Sequence, residues 1–507
     1  MARRIRPAGS ASFAAALFLM TSCMVGPDYE RPKPIPMEPF RPVDGAQTQP
    51  KEAELDGWWK RYEDPKLSDL IARAEKGNLN LQQAAMNIAM YRAAYGISFS
   101  QLFPSINLGA HYARVLSNNV LNQGAVTTNA PFNYWDYGAT MTTWEIDLFG
   151  KIRRGMEASK ARLEGSVQAW RAALVAVRSD VASAYLAVRT LQAELGLAKL
   201  NVDLLEQVYK VVQSKYKARV VSQIDLSQAA AQLAVAKALV PQFEASIQQQ
   251  CNGLSVLLGE SPGPMQDELR QPAAIPLPEQ MVDVGIPTDL IRRRADVLAA
   301  EMDLAAATAE IGVAEAGYYP ELSLQGTFSI AASDFSGLGS INNKVYSFGP
   351  ALQWNFFNGG LVTSQVQQKQ AIAFRLAIRW KETVLKAASE VQSSLGNYGG
   401  ALRQMRDYQT GLSDVQTGFD LVFARYKAGT VQLTDLLQYQ QIVLQAETGY
   451  MQARGLAAQN LVDLYRTLGG GWETAEVPDS GRDAFEKNGP DLLAPMPSLK
   501  DQAEGKS

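Results

Sequence analysis

The chain has 507 residues, a formal net charge of −3 and 47% apolar residues. So neutral a balance, with no long basic run, excludes a protein that holds nucleic acid by neutralising phosphates. A single histidine and two cysteines exclude two-histidine metal motifs and Cys-x-x-Cys sites, and with no nucleophile elbow or phosphate-binding glycine loop either, no enzyme is expected.

Residues 1–22 read as an export signal. Arg3, Arg4 and Arg6 precede a short apolar run from Ala11 to Met20, too short to span a bilayer as a mature helix. Met20-Thr21-Ser22-Cys23 sets small residues before a cysteine. This resembles a bacterial lipoprotein signal, with Cys23 as the lipid-bearing first residue, although Met20 stands where leucine is usual. A plain secretory signal with an incidental cysteine is the alternative. Met24, where an aspartate would favour the inner membrane, points to the outer one. Cys251, the other cysteine, cannot pair with a lipidated Cys23 in the same chain and reads as a small buried apolar residue. No cofactor is expected beyond the covalent lipid.

Residues 23–55 carry Pro27, Pro32, Pro34, Pro36, Pro39 and Pro42, which predicts an extended tether rather than a packed element. A first repeat is expected over 56–260, a connector over 261–285, a second repeat over 286–472 and a polar tail over 473–507. In the first repeat, Leu70, Ile71, Ala74, Leu81, Ala84, Ala85 and Ile88 fall at helical spacing, in a helix that must end near Gln101 because Pro104 follows. Its counterpart runs from about Asp296 to Gly317, before Pro320.

Each proline is followed by period-2 alternation. Leu322, Leu324, Phe328 and Ile330 oppose Ser323, Gln325, Thr327 and Ser329. Tyr346, Phe348, Pro350, Leu352, Trp354 and Phe356 oppose Ser347, Gly349, Ala351, Gln353 and Asn355. Ile106, Leu108, Ala110 and Tyr112, then Trp135, Tyr137, Ala139 and Met141, give a weaker first-repeat version with His111 on the opposite face. The runs match membrane-spanning strands with interfacial aromatics; a half-buried sheet of a soluble domain is the alternative. Four strands cannot close a barrel, so several chains would each contribute four. No apolar run after the signal is long enough for a transmembrane helix.

From Lys151 to about Ala218, and from Leu361 to about Ala428, there is no proline. Each stretch predicts a helix on the order of 100 Å, which needs neighbours along its whole length, as in a coiled-coil bundle. Tyr216-Lys217-Ala218-Arg219-Val220-Val221-Ser222-Gln223-Ile224-Asp225-Leu226 breaks the first helix. Tyr426-Lys427-Ala428-Gly429-Thr430-Val431-Gln432-Leu433-Thr434-Asp435-Leu436 breaks the second. With the likeness of Gly96–Leu108 to Gly312–Leu324, this makes the chain two copies of one unit of roughly 210 residues. Both turns should lie at one end of the molecule, far from the strands. Asp225 and Asp435 read either as first-turn acids favoured by the helix dipole or as site residues.

Cys23-Met24-Val25-Gly26-Pro27-Asp28-Tyr29, Gly57-Trp58-Trp59, Trp144-Glu145-Ile146-Asp147-Leu148-Phe149-Gly150, Pro287 to Asp296, and Leu468-Gly469-Gly470-Gly471-Trp472 together resemble the TolC-like outer-membrane factors of multidrug efflux systems, in their lipoprotein branch. The resemblance implies a mainly α fold with a membrane β-barrel. Long coiled-coil helices would form a trimeric tunnel, and four strands per chain would join a shared twelve-strand barrel. It implies a homotrimer in outer-membrane lipid, a periplasmic adaptor and an inner-membrane transporter as partners, and an exit duct for small toxic compounds. It also implies a gate at the turns: Tyr426 and Asp225 match a latch, and Asp435 matches an aspartate ring at the constriction. Gln438 stands where a second aspartate ring is usual, and Val431 where an arginine often bridges to the Asp225 position; Arg425 is a substitute bridge. A duct for protein secretion is the nearer alternative. A non-conducting periplasmic adaptor is the more distant one, and would show a single hairpin between small β domains.

Overall fold

The computed structural model describes residues 24–41, 43, 46–47, 55–115, 131–278, 282–283 and 293–478. The export signal, Cys23, the 116–130 loop and the tail after 478 lie outside the described residues. Eight α-helices are described: α1 (Pro65–Gly77), α2 (Leu79–Ser100), α3 (Lys151–Lys217), α4 (Gln223–Leu258), α5 (Pro264–Glu268), α6 (Ala295–Glu315), α7 (Leu361–Lys427) and α8 (Leu433–Thr467). The four long strands are β1 (Ile106–Val115), β2 (Phe132–Ile146), β3 (Glu321–Ala332) and β4 (Lys344–Gln353), and residues 46–47 pair in parallel with 282–283. The fold is mainly α and internally duplicated, with α3 and α7 both 67 residues long. No described helix is long and apolar enough to cross a membrane.

The chain forms two compact units, one of residues 1–32, 90–165 and 300–379, the other of 33–89, 166–299 and 380–507. In the first, the four strands form one antiparallel sheet in the order β1-β2-β3-β4. The register aligns one apolar face across all of them. Leu108 sits opposite Ala139, Ala139 opposite Phe328, and Phe328 opposite Tyr346. Leu108 is 84% exposed and Tyr346 72%, so nothing among the described residues covers this face. The other face carries Asn107, Thr140, Thr327 and Ser347 in register, along with His111, whose Nδ1 lies 3.5 Å from the Asp136 carboxylate. A bulge between Met141 and Trp144 moves the apolar set from odd to even positions and keeps Trp144 and Ile146 on the apolar face.

Aromatics gather at the strand ends. Phe103, Tyr319, Trp354, Phe356 and Phe357 are exposed at one end, where Phe149 stacks on Tyr319 at 4.5 Å. At the other, Trp135 contacts Tyr112 and Phe335. The alternation at Trp354 and Phe356 predicted a longer last strand, but β4 stops at Gln353, opposite Glu321. Pro320 precedes Glu321 and has no N–H to extend the ladder. Asp147 starts α3 by accepting the free backbone N–H groups of Ile152 and Arg153 at 3.2 and 2.9 Å.

In the second unit the helices pack through a core that includes Leu67, Leu70 and Ile71 of α1. Two of the quoted motifs meet here: a Cβ on Gly471 would lie 3.1 Å from Trp58 Nε1, and Trp58 stacks on Tyr465 at 5.3 Å. The single helix expected up to Gln101 is two helices. Asn78 ends α1 by donating its N–H to Ala74 and starts α2 by accepting from the N–H of Asn80 and Leu81. The second-repeat helix matches its expected span, closing with a 3-10 turn at Ala316–Tyr318. The proline-rich segment has no regular structure over 24–41 but is packed: Tyr29 and Arg31 bond to the buried Glu301 in the first unit, and Ile35 and Met37 pack beside Val297 and Val384 in the second.

Candidate functional site at the paired helical turns

Both long helices end in the same backbone motif. After α3, the N–H of Val220 donates to the Lys215 carbonyl and that of Arg219 to Tyr216. After α7, Thr430 donates to Arg425 and Gly429 to Tyr426. These paired bonds satisfy last-turn carbonyls and require a left-handed residue just past the helix. Gly429 supplies it at φ 79°, Arg219 at φ 61°.

Each return helix is then capped by its aspartate. The Asp225 carboxylate accepts from the Ser222 N–H at 2.8 Å and the Ser222 hydroxyl at 2.7 Å, while Ser222 Oγ accepts from the Asp225 N–H at 3.2 Å. Asp435 accepts from the Gln432 N–H at 3.1 Å. The hydroxyl and N–H of Ser222 hold the Asp225 carboxyl below its usual range.

The two hairpins share one core. Leu205, Val208 and Val212 of α3 and Ala229 and Ala236 of α4 cluster with Phe419, Tyr426, Leu433, Leu436 and Leu437. Tyr426 is 2% exposed, and its hydroxyl has no hydrogen-bond partner among the described residues. Burial first, then the nearby Asp225 charge, push its pKa up. Lys215 crosses from the other hairpin: its ammonium donates to the Tyr426 carbonyl at 2.6 Å and lies 4.2 Å from the ring centre. Glu447, partly buried on α8 beside a cavity of about 160 Å³ between the hairpins, has its carboxyl pushed up by burial.

The structure therefore brings Tyr426 and Asp225 near each other and leaves Asp435, Gln438 and Arg425 on the surface. Asp435 and Gln438, three residues apart, share one exposed face of α8. Arg425 makes no bond to Asp225, whose carboxylate is bound to Ser222. The basic residue that reaches Tyr426 is Lys215, the repeat counterpart of Arg425. Sequence reasoning missed it, though a basic residue precedes the tyrosine in both repeats.

A family profile described as "Outer membrane efflux protein" matches residues 70–260 and 286–470. Nodulation protein T of Rhizobium leguminosarum bv. trifolii is 28% identical over 451 residues, 89% of this chain and 94% of that protein. The toluene efflux pump outer membrane protein TtgF of Pseudomonas putida is 28% identical over 472 residues, 90% of this chain and 95% of that protein. The outer-membrane channel OprN superimposes with a TM-score of 0.81 at 28% identity, covering 89% of this chain and all of that one. With a duplicated helical fold, an apolar-faced four-stranded sheet and profile matches over most of its length, the chain belongs to the outer membrane efflux protein family.

Proposed function

We propose that this outer-membrane efflux protein works as a homotrimeric exit duct. Three sheets would close one twelve-strand barrel, and the paired turns would form a gate facing the periplasm. The observation that carries the reading is the sheet: its 10- to 15-residue strands suit a bilayer, and among the described residues one face is apolar and uncovered and β1 and β4 each have a free edge. In the order β1-β2-β3-β4, β4 of one copy runs antiparallel to β1 of the next. A ring of copies thus keeps the pattern and leaves no edge in lipid.

Cys23 is the proposed lipid attachment in the outer membrane. A periplasmic adaptor and an inner-membrane transporter are the proposed partners, and small toxic compounds the proposed cargo. Relatives of equal identity are named for nodulation and for toluene efflux, which supports a passive duct whose cargo is chosen by its pump. Nothing in this role calls for a reaction.

At the gate, three Asp435 carboxylates on the axis would narrow the duct and attract cations, with Gln438 forming a neutral layer one turn further on. Asp225 and Tyr426 would latch the closed state, and Arg425, exposed beside the latch, is free to reach a neighbouring copy. Cross-linking should trap three chains, and planar-bilayer recordings should give a small wild-type conductance that rises in Asp435→Ala. Unchanged conductance in that variant would move the constriction elsewhere. Unchanged conductance in Tyr426→Phe would remove the latch.

A further inference from the structure

The first residues after Cys23 pass through a built slot. The Arg154 side chain, on the first turn of α3, is 1% exposed. Its Nε donates to the Val25 carbonyl at 3.0 Å; its Nη2 donates to the Gly26 carbonyl at 3.0 Å and the Asp28 carboxylate at 2.8 Å; its Nη1 donates to Glu157 at 2.8 Å. The Val25 N–H donates to Phe149 at 3.1 Å. Glycines clear the path. Gly26, at φ 89°, would place a Cβ 2.3 Å from Gly312 Cα, and a Cβ on Gly150 would lie 2.3 Å from Met24 Cγ.

A buried guanidinium is tolerated only when its donors are met, and here two are met by backbone carbonyls. The slot therefore grips the path of the chain through Val25 and Gly26 and adds one side-chain hold, on Asp28. Packing alone would be served by an aliphatic residue.

We propose that this slot seats the lipid anchor. It fixes Met24, the residue next to Cys23, where β2 gives way to α3, so that acyl chains on Cys23 enter the membrane at that end of the sheet. This rests on the reading of Cys23 as acylated. Without the slot, the next fixed point is the pairing of Tyr29 and Arg31 with Glu301. The acylated end could then wander on the order of 20 Å over six residues. Arg154 is a positioning residue for the anchor.

The test uses full-length protein in liposomes with a nitroxide on Pro27→Cys, an exposed position, Cys251 being buried. Mass spectrometry of the same preparation reads acylation of Cys23. Expected are an immobile label at one depth in the parent, and a mobile label spread in depth in Arg154→Gln. Arg154→Lys, which cannot span the three tether acceptors at Val25, Gly26 and Asp28, should not restore the parent spectrum. If Arg154→Gln fails to fold, Gly26→Ala opens the slot from the tether side with the arginine kept. Acylated protein whose label is equally fixed in parent and variants, or mobile in the parent, overturns the proposal. A chain lacking acyl groups overturns it through the Cys23 reading, while the label still reports the grip of the slot.

Discussion

The turns at 218–222 and 428–432 share a backbone and differ in what surrounds it. Tyr216 is exposed and Tyr426 buried; Lys215 reaches across to the other hairpin while Arg425 points outward; Arg219 holds a left-handed conformation that Gly429 takes without strain. Duplication supplied the scaffold twice, and side-chain divergence made one turn the core of the tip and the other its brace. Function is therefore to be sought in the asymmetry.

Breaking the core should separate the turns most. Leu436→Ala, at a fully buried position, is expected to cost about 3 kcal/mol, against about 1 kcal/mol for the half-buried Leu226→Ala, both read from thermal unfolding of the helices. Next comes the brace. Lys215→Met loses a charge-assisted bond and should cost about 2 kcal/mol, whereas Arg425→Met should change stability by less than about 0.5 kcal/mol; equal effects would abolish the distinction.

Backbone strain gives a smaller, two-signed contrast. Nothing lies within 4 Å of a Cβ on Gly429, so Gly429→Ala should cost about 1 kcal/mol through its φ alone, while Arg219→Gly should gain up to about 1 kcal/mol. The smallest effect is in pH. The folded-state pKa of Asp225 is lowered by Ser222. Its contribution is thus present above the ordinary carboxylate range and lost as pH falls through that lowered value. Ser222→Ala should flatten this acid limb of an unfolding titration.

Periodicity made much of the fold legible. The unbroken stretches after Lys151 and Leu361 became two 67-residue helices, and the alternation of Leu322 to Ile330 became β3. Where local signals compete, less was readable. Gly77-Asn78 carried a stop and a start that the apolar spacing on either side concealed. Parity at Met141 and Trp144 shifts in the sequence itself, yet only the register shows that a bulge absorbs it. At the site, the repeat marked both turns, and the family resemblance singled out Tyr426, Asp225 and Asp435 within them. Lys215 could not be singled out, because its bond joins residues 211 positions apart. The Arg154 slot left no pattern either, since two of its bonds go to carbonyl groups that every residue has and the third to an aspartate 126 positions away.

The open edges of the sheet carry a genetic consequence. A chain whose β4 edge cannot pair still offers a sound β1 edge, so it would enter a ring and spoil it. In the proposed trimer, with intact and altered chains in equal supply combining at random, about one ring in eight would be free of the altered copy. An edge mutation should therefore be dominant, silencing most of the product of an intact gene beside it, as no lesion in a self-closed monomeric barrel would.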